Sequence, residues 1–487
     1  MMDIASIYLT NARFYYILYA SIVKRYIKMK LISLFVQLLW GDLFQIPLPG
    51  GNSIGISLLV LILIPAGIYF TIRTKFVLIR CFPEMLRLTF GRREKTEGGA
   101  ISGLQALIVS TATRVGMGNM VGVVAAVSAG GAGAVFWMWV TAIVGSSTAF
   151  VEATLAQLHK EEDPIYGGYR GGPTHYLQNF YGKNGKKHIL AILFGMACLV
   201  CWCGISQVIG NSVSSAFENA FHIKPIYSTV FLVAVAAVIV LRKNATVKVL
   251  DIMVPIMAVA YILVTFVIIV KNAALLPSVF TRIIEEAFGL RQVVAGGFGA
   301  ALMNGVKRGL FSNEAGCGSA PNAAAAANVD HPAKAGLLQS FGVFIDTIVI
   351  CTSTAMIMLL APESVVGGLQ GMELLQEAMR HHFGEAGVIF VVITLWLFSF
   401  STFIGVLFYA RSNVAFLFGN STKAQFLFKI WCLLMLFVGG LAAYTFVWDL
   451  GDVGIGLMTV FNMMALIPMS GQAIKQLNDY NEQRKKK

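Results

Sequence analysis

The chain has 487 residues, of which 57% are hydrophobic and only 13% are charged, with a formal net charge of +13 at pH 7. Soluble domains carry about 25% charged residues, so the composition excludes a soluble protein and leaves no room for a sizeable soluble domain. The positive charge does not indicate nucleic-acid binding, because it is concentrated in loops on one side of the predicted membrane spans.

Several apolar runs approach the length of about 20 residues that a helix needs to cross a bilayer. They predict an all-α polytopic membrane protein with about 11 transmembrane helices. The predicted spans are residues 54–72, 104–130, 133–158, 189–218, 226–241, 251–271, 290–306, 336–361, 386–410, 425–446 and 452–472. The N-terminal segment 1–53 contains an apolar run that is too short to span. It is either an interfacial helix or a misassigned start, with Met29 instead of Met1 as the first residue.

The basic residues predict the orientation. Residues 54–100 comprise the extra first span and a basic loop. With this loop, residues 73–100, placed in the cytoplasm, the outside loops after the first span carry few cations, namely Lys224, Lys271, Arg282, Arg291 and Arg380. Most other Lys and Arg residues then lie inside, including those of the tail 473–487, as the positive-inside rule requires. We therefore expect a multi-pass protein of the bacterial inner membrane, surrounded by lipid, with a cytoplasmic C-terminus.

The ten spans after the first divide into two sets of five, residues 104–271 and 290–472. Each set opens with a glycine-interrupted span, at Gly116 and Gly118 in one and at Gly296-Gly297-Phe298-Gly299 in the other. Paired interruptions at matching positions indicate inverted repeats with a binding site between them. An odd number of spans per set makes the second repeat insert upside down.

The interruption at Gly116, Met117, Gly118 and Asn119 would expose backbone N–H groups at the positive end of a half-helix. Such a site suits a substrate carboxylate, and the Asn119 amide can both donate and accept hydrogen bonds. The alternative is close helix packing at small residues.

Hydroxyl groups on a later span suggest a cation site. Ser401 and Thr402, near Ser399, could join the carbonyls of Ala112 and Val115 in an oxygen cage for sodium. Alternatively, these hydroxyls bond to carbonyls of their own helix.

Other polar residues at membrane depth are functional candidates by position. Gln207 could face the cavity or bond to a neighbouring helix, and Arg114 is a candidate for a structural or gating ion pair. Four acids also lie at this depth, namely Glu152, Asp346, Asp449 and Asp452. A proton relay by Asp346 is a weaker alternative function.

From about Leu39 to Tyr480, the chain resembles the alanine/glycine:cation symporter family, the sodium:alanine symporters. The most specific motif is Lys307-Arg-Gly-Leu-Phe-Ser-Asn-Glu-Ala-Gly-Cys-Gly-Ser-Ala-Pro321. The others are Ile68-Tyr-Phe-Thr-Ile-Arg-Thr74, Gly116-Met-Gly-Asn-Met120, Gly131-Ala-Gly-Ala-Val-Phe-Trp-Met-Trp-Val140 and Gly171-Gly-Pro173.

The resemblance implies the five-plus-five inverted repeat of the amino acid–polyamine–organocation type with one extra N-terminal span. It also implies sodium-driven uptake of alanine or glycine, with proton coupling in some members. It assigns Asn119 and the backbone at 116–118 to the amino-acid carboxylate, Gln207 to a side-chain contact, Phe298 to the second broken helix and Thr402 to a substrate or sodium hydroxyl. Asn313 and Glu314 are expected at a cytoplasmic gate beside Lys307 and Arg308.

The sequence departs from the family pattern at four positions. Met117 stands where Thr is frequent and Val406 where Trp is expected, while Arg411 replaces a usual Glu and Phe461 a usual Pro. Without the indole, the pocket at Val406 is expected to accept side chains larger than that of alanine.

The predicted function is therefore sodium-coupled symport of a small neutral amino acid, with Na⁺ as coupling ion and no cofactor. A same-fold carrier of another solute, including a proton-coupled one, and a non-transporting receptor or channel remain alternatives. An enzyme is not expected, because no nucleophile–base pair or metal cluster is apparent. The sequence does not predict the oligomeric state.

Overall fold

The structure, a computed structural model, describes residue 30 and residues 32–47, 53–91, 101–183, 185–241, 245–290 and 297–486. Both starts considered for the chain, Met1 and Met29, lie outside the described residues, as do Arg291 and Gly296. The described part is predominantly helical.

In the first half, residues 32–40 are helical. The helices that follow are Leu58–Arg73, Val77–Arg80, Phe82–Phe90, Gly103–Thr113, Arg114–Gly122 (π-helical), Val123–Gly130, Gly133–Leu158, Pro173–Tyr181, Ile189–Phe221, Pro225–Val240, Ala245–Lys271, Ala273–Leu275 (3₁₀) and Leu276–Ala287.

The second half contains a second π-helical segment and ends with three long helices among the described residues. Its helices are Gly297–Asn313, Pro321–Ala326, Pro332–Val343, Phe344–Cys351 (π-helical), Thr352–Leu359, Glu363–Val366, Gly371–Phe383, Glu385–Phe418, Thr422–Gly440 and Tyr444–Lys485.

Within the described residues, eight helices are long and apolar enough to cross a membrane. They correspond to eight of the predicted spans. Two others, 54–72 and 226–241, correspond to the shorter apolar helices Leu58–Arg73 and Pro225–Val240. The span predicted at 290–306 corresponds to Gly297–Asn313, which extends further along the chain than expected.

The first broken helix, Gly103–Gly130, begins at a capping box. The Ser102 hydroxyl accepts a hydrogen bond from the Gln105 amide, and the Gln105 side chain accepts one from the Ser102 amide. This reciprocal pair satisfies N–H groups that the first helical turn leaves without a partner. The helix is interrupted at Val115 (φ −74°, ψ 67°) and Gly116 (φ −142°, ψ −146°), where the sequence places the break.

The second broken helix, residues 297–326, leaves helical geometry between residues 314 and 320. Glu314 (φ 55°), Gly316 (φ 95°) and Gly318 (φ 83°) take left-handed backbone conformations there, which glycine adopts without steric cost. The interruption expected at residues 296–299 lies at the start of helix Gly297–Asn313. Gly297 is left-handed (φ 69°), and residues 291–296 before it lie outside the described residues.

Three short strand pairs connect the helices. Phe44–Pro47 pairs antiparallel with Ser53–Ile56, and Glu161–Glu162 pairs antiparallel with Tyr169–Arg170. Ile101–Ser102 pairs in parallel with Ala327–Asn328, and so joins the start of the first broken helix to the end of the second.

Charged side chains connect the strand pair at Glu161–Glu162 to the neighbouring helix Pro173–Tyr181. His175 Nε2 lies 3.2 Å and Arg170 Nη2 2.8 Å from Glu161 Oε1. The hydrogen bond with His175, followed by its charge and the contacts of Arg170, lowers the pKa of Glu161 to about 2. This half-exposed contact therefore persists from neutral pH to below the usual pKa of Glu, and it holds helix Pro173–Tyr181 in place.

Small residues allow the helices Ile189–Phe221 and Tyr444–Lys485 to pack with their backbones in contact. A Cβ on Gly454 would lie 2.5 Å from the Cys201 Cα, and one on Gly204 would lie 2.7 Å from the Gly451 nitrogen. Close approach of this kind is how helices associate where lipid provides no hydrophobic drive.

We expect Gly454→Ala to lower the free energy of unfolding by about 1–3 kcal/mol, because the added methyl overlaps backbone that cannot move aside locally. The matched control is Gly471→Ala on the same helix, where a Cβ meets nothing within 4 Å. The measurement is thermal unfolding in detergent, and equal melting temperatures for the two variants would contradict this packing.

Candidate substrate and ion site

The break in the first broken helix frees two backbone N–H groups inside the protein. The Gly116 amide donates to Asn119 Oδ1 at 3.3 Å, and the Met117 amide donates to Thr402 Oγ1 at 3.2 Å. A side chain at position 116 would overlap Thr402 Oγ1, so the close approach of helix Glu385–Phe418 requires glycine there. Both acceptors are side-chain oxygens that a bound anion could replace.

Hydroxyl and carbonyl oxygens gather beside this break. Ser401 Oγ lies 3.2 Å from the Ala112 carbonyl oxygen and 2.9 Å from that of Phe398. Thr402 Oγ1 donates to the same Phe398 carbonyl at 2.8 Å. All of these residues are buried, as is Val115, whose backbone bends at the break. The oxygen-only donor set fits a hard monovalent cation.

Asn119 is bonded on both sides of its amide. Its Nδ2 donates to Asp346 Oδ1 at 2.7 Å and to the Asp346 carbonyl at 3.0 Å, while its Oδ1 accepts from Gly116. In this conformation Asn119 therefore holds the break to helix Pro332–Leu359. From the sequence, Asp346 was an acid at membrane depth and a weaker candidate for a proton relay, with no indicated partnership with Asn119.

A buried carboxylate holds the second break. Glu152 Oε2 accepts from the Gly316 amide and Oε1 from the Gly318 amide, both at 3.0 Å. Asn462 donates to Glu152 Oε1 at 2.5 Å and to the Gly316 carbonyl at 3.0 Å, and Tyr176 donates to Asn462. Helices from both halves thus supply the partners that the second break requires.

Asn313 and Glu314, which were expected at a cytoplasmic gate, lie in the second break and are buried. The Asn313 side chain accepts from the Ala315 amide at 3.0 Å. Glu314 accepts from Ser319 Oγ at 2.6 Å and lies 3.5 Å from Thr113 Oγ1 on the first broken helix. The two breaks are therefore in contact through polar side chains.

Lys307 and Arg308 lie in the helix Gly297–Asn313, which precedes this break in the chain. Both Arg308 Nη atoms bind the Asp452 carboxylate, at 3.2 and 3.1 Å, and Lys307 Nζ lies 2.7 Å from it. The Arg308 guanidinium also stacks on Trp448, 4.1 Å from the ring centre. The sequence analysis did not pair these charges, because only the fold brings residues so distant in sequence together.

Three other predicted residues make contacts outside this group. Arg114 donates to the Gln339 carbonyl and side chain at 3.2 and 3.1 Å, and forms no ion pair within 4 Å among the described residues. Gln207 Nε2 donates to Met435 Sδ at 3.2 Å. Phe298 packs on Trp137, with ring centres 5.9 Å apart.

The remaining predicted residues are buried against the two broken helices. Gly118 is close to the second one, since a Cβ there would lie 3.3 Å from the Ser312 Cα. Val406 is fully buried one turn after Thr402. The structure thus brings together Ala112, Gly116, Met117, Ser401 and Thr402, with Gly118 and Asn119 on the adjoining turn. Ser312, which contacts this region, lies within the motif Lys307–Pro321 but was not singled out, and Thr347 and Phe398 carry no sequence signal beyond polarity or hydrophobicity.

Comparison with known proteins agrees with this architecture. A family model described as the sodium:alanine symporter family matches residues 50–487. The probable sodium/glutamine symporter GlnT of Bacillus subtilis is 41% identical over 430 residues, covering 88% of this chain and 89% of GlnT. The amino-acid carrier protein AlsT of the same organism is 40% identical over 425 residues, covering 87% and 89%.

Among solved structures, that of MhsT in complex with L-phenylalanine superposes with a TM-score of 0.56. It covers 77% of this chain and 90% of MhsT at 11% sequence identity, a level at which the likeness concerns the fold. The chain shares its fold with MhsT.

A family match over nine-tenths of the chain and two relatives near 40% identity lead to one conclusion. The chain belongs to the sodium:alanine symporter family and is a multi-pass membrane transporter, not an enzyme.

Proposed function

We propose that the protein is a sodium-coupled symporter of small neutral amino acids that works by alternating access. The observation that carries this proposal is the break at Val115–Gly116, where backbone N–H groups with side-chain acceptors lie beside the hydroxyls of Ser401 and Thr402. We further propose the arrangement of 11 spans as an extra helix plus two inverted repeats of five, with the C-terminus in the cytoplasm.

The substrate carboxylate would bind to the N–H groups of Gly116 and Met117. These donors now use Asn119 Oδ1 and Thr402 Oγ1 as acceptors, at 3.3 and 3.2 Å. Such neutral oxygens are weaker acceptors than a carboxylate, and the positive end of the half-helix favours an anion. Exchange of the acceptors would therefore stabilise the bound amino acid without leaving an N–H unpaired.

Sodium would bind between the Ala112 and Val115 carbonyls and the Ser401 and Thr402 hydroxyls. These oxygens come from the inner half of the first broken helix and from helix Glu385–Phe418. An ion held between two elements stabilises the arrangement in which both contribute ligands. That differential affinity is what couples an ion gradient to a conformational equilibrium.

The side-chain end of the pocket is proposed at Met117 and Val406, whereas Gln207 and Phe298, which contact Met435 and Trp137, are not assigned to it. The fully buried Val406 replaces an expected Trp, so this end should accept side chains larger than a methyl group. One relative, 41% identical, is a probable sodium/glutamine symporter. We therefore propose that glutamine be tested as a substrate beside alanine, serine, valine and methionine.

The ion pair of Arg308 and Asp452 is proposed as the closure of the outer pathway, because with a cytoplasmic C-terminus Asp452 begins the last span on its outer side. This replaces the expected position of Arg308 beside a cytoplasmic gate. Arg114, Asn313 and Glu314 are proposed as gating residues around the two breaks, where Glu314 reaches Thr113 and Ser319. Proton coupling of the same carrier remains the alternative mode. A pH gradient that drives uptake in the absence of sodium would favour that alternative.

The first test of the function is uptake of radiolabelled alanine or glutamine into proteoliposomes with and without an inward sodium gradient. Thr402→Val keeps the side-chain shape and removes one oxygen, so the sodium concentration for half-maximal uptake should rise about 10- to 100-fold. Thr394→Val on the same helix is the control. Sodium dependence equal to that of the wild type in Thr402→Val would reject the ion site, and absence of sodium-driven uptake would reject the function.

The second test concerns pocket size. In Val406→Trp, the added indole should fill the pocket, and competition by serine, valine, methionine and glutamine against labelled alanine should weaken relative to wild type. Each methylene of a competing amino acid that no longer fits in the pocket costs about 0.8 kcal/mol of binding free energy. Ile393→Trp, on the exposed side of the same helix, is the control. Strict alanine and glycine selectivity in the wild type would contradict the wider pocket.

A further inference from the structure

Residues 32–47 and 53–56 form an N-terminal strap, a helix followed by an antiparallel strand pair. The helix, residues 32–40, leaves its first seven residues at least partly exposed but buries the last two, Leu39 and Trp40. The family match begins only at residue 50 and does not include this helix. The helix of the strap therefore lies outside the part of the chain that the family model describes.

Leu39 packs the strap against the last long helix, Tyr444–Lys485. A Cβ on Gly456 would lie 2.8 Å from Leu39 Cδ1 and 3.0 Å from Leu59 Cδ1, so the absence of a side chain at Gly456 makes room for both leucines. Gly456 lies one turn after Asp452 on this helix. The strap is therefore packed directly beside the acid of the ion pair that is proposed as the outer closure.

Trp40 contacts both sides of this ion pair. Its indole N–H donates to the Asp452 carbonyl oxygen at 3.1 Å, and Lys307 Nζ lies 5.5 Å from its ring centre. A cation within about 6 Å of an aromatic ring face is attracted by the ring. Lys307 Nζ also lies 2.7 Å from the Asp452 carboxylate. Strand Ser53–Ile56 of the strap contacts helix Gly297–Asn313, which carries Lys307, so the strap holds both helices of the closure.

Water has little access to these charges. Asp452 is 2% exposed and the Lys307 side chain 15% exposed. Exposed ion pairs contribute little to stability, whereas charges with little access to water interact more strongly. The Arg308 guanidinium stacks on Trp448 as Lys307 does on Trp40, so each cation lies between the carboxylate and an indole. Of the two indoles, Trp40 alone comes from outside the helices that carry the charges.

We propose that Trp40 is a positioning residue for the outer closure, and that the strap holds Asp452 and Lys307 together until the outer pathway opens. A contact made only in the closed arrangement stabilises that arrangement. Loss of the indole should therefore shift the conformational equilibrium towards the outward-open state. The inference rests on the proposed function, because it takes the ion pair of Arg308 and Asp452 as the outer closure.

The decisive experiment measures access to the outer pathway with the thiol introduced by Gly122→Cys. A Cβ at Gly122 would meet Phe311 Cδ1 at 3.9 Å, an ordinary contact, and Phe311 follows Arg308 by one turn. A charged thiol reagent that does not cross membranes is added to intact cells, and its rate of reaction with the full-length protein is measured. Trp40→Leu should raise this rate about tenfold, for the loss of one hydrogen bond and one cation–π contact. The chain without Gly122→Cys gives the background from the native cysteines, all of which are buried.

Two further variants separate this role from general loosening of the fold. Trp40→Phe keeps a ring face for Lys307 and loses the N–H, so its rate should lie between those of the parent and Trp40→Leu. Trp139→Leu is the matched control, because the Trp139 indole also donates a hydrogen bond, to Thr352 Oγ1 at 2.8 Å, on helices that carry neither Lys307 nor Asp452. It should leave the rate unchanged. Equal rates in the parent and both Trp40 variants would overturn the proposal, as would an equal increase in Trp139→Leu.

A double variant tests whether Trp40 acts through the ion pair. Asp452→Asn removes the charge of the closure and should itself raise the rate of modification. Adding Trp40→Leu to Asp452→Asn should then raise the rate by a smaller factor than Trp40→Leu alone, since coupled residues are not additive. The same factor in both backgrounds would overturn the positioning role. An unchanged rate in Asp452→Asn would reject the proposed outer closure, whereas an increase there without one in Trp40→Leu would reject the role of Trp40 alone.

Discussion

Backbone groups freed inside a membrane must find partners within the protein, and this constraint shapes the centre of the molecule. Lipid offers neither donors nor acceptors, so a broken helix is stable only where other elements supply them. At the first break, the partners are Asn119 and Thr402; at the second, they are Glu152 and Asn462.

The two breaks are supplied differently, and the difference suits different roles. A fully buried carboxylate holds the second break through two amide hydrogen bonds, which makes a firm attachment to helix Gly133–Leu158. Neutral oxygens hold the first break at 3.2 and 3.3 Å, so a charged ligand can displace them. The first break is therefore the one arranged for exchange of partners, and the second the one arranged for support.

Much of the architecture was predictable from local signals. Long apolar runs locate the eight helices of spanning length, and the glycine pair beside Asn119 correctly locates the first break. The break between residues 314 and 320 was not predicted, because the glycine signal at Gly297 and Phe298 lies at the other end of that helix. At this break Glu314, Gly316 and Gly318 are left-handed, and the two glycine amides are held by Glu152, a residue far away in sequence.

The polar contacts at the centre were less predictable for the same reason. The neighbouring hydroxyls Ser401 and Thr402 could be recognised within one helix, and the structure places them beside Ala112 and Met117. The partnership of Asn119 with Asp346 joins residues that lie on different helices. Nothing in the spacing of either segment specifies it, because only tertiary packing decides which polar faces meet.

The parallel pairing of Ile101–Ser102 with Ala327–Asn328 has a mechanical consequence. It ties the start of the first broken helix to the end of the second by backbone hydrogen bonds, so a tilt of either inner half pulls on the other. The breaks in the two helices then bend together and not independently. The inner ends of the broken helices should consequently move as a linked pair, with their mutual spacing nearly constant while both move relative to the surrounding helices.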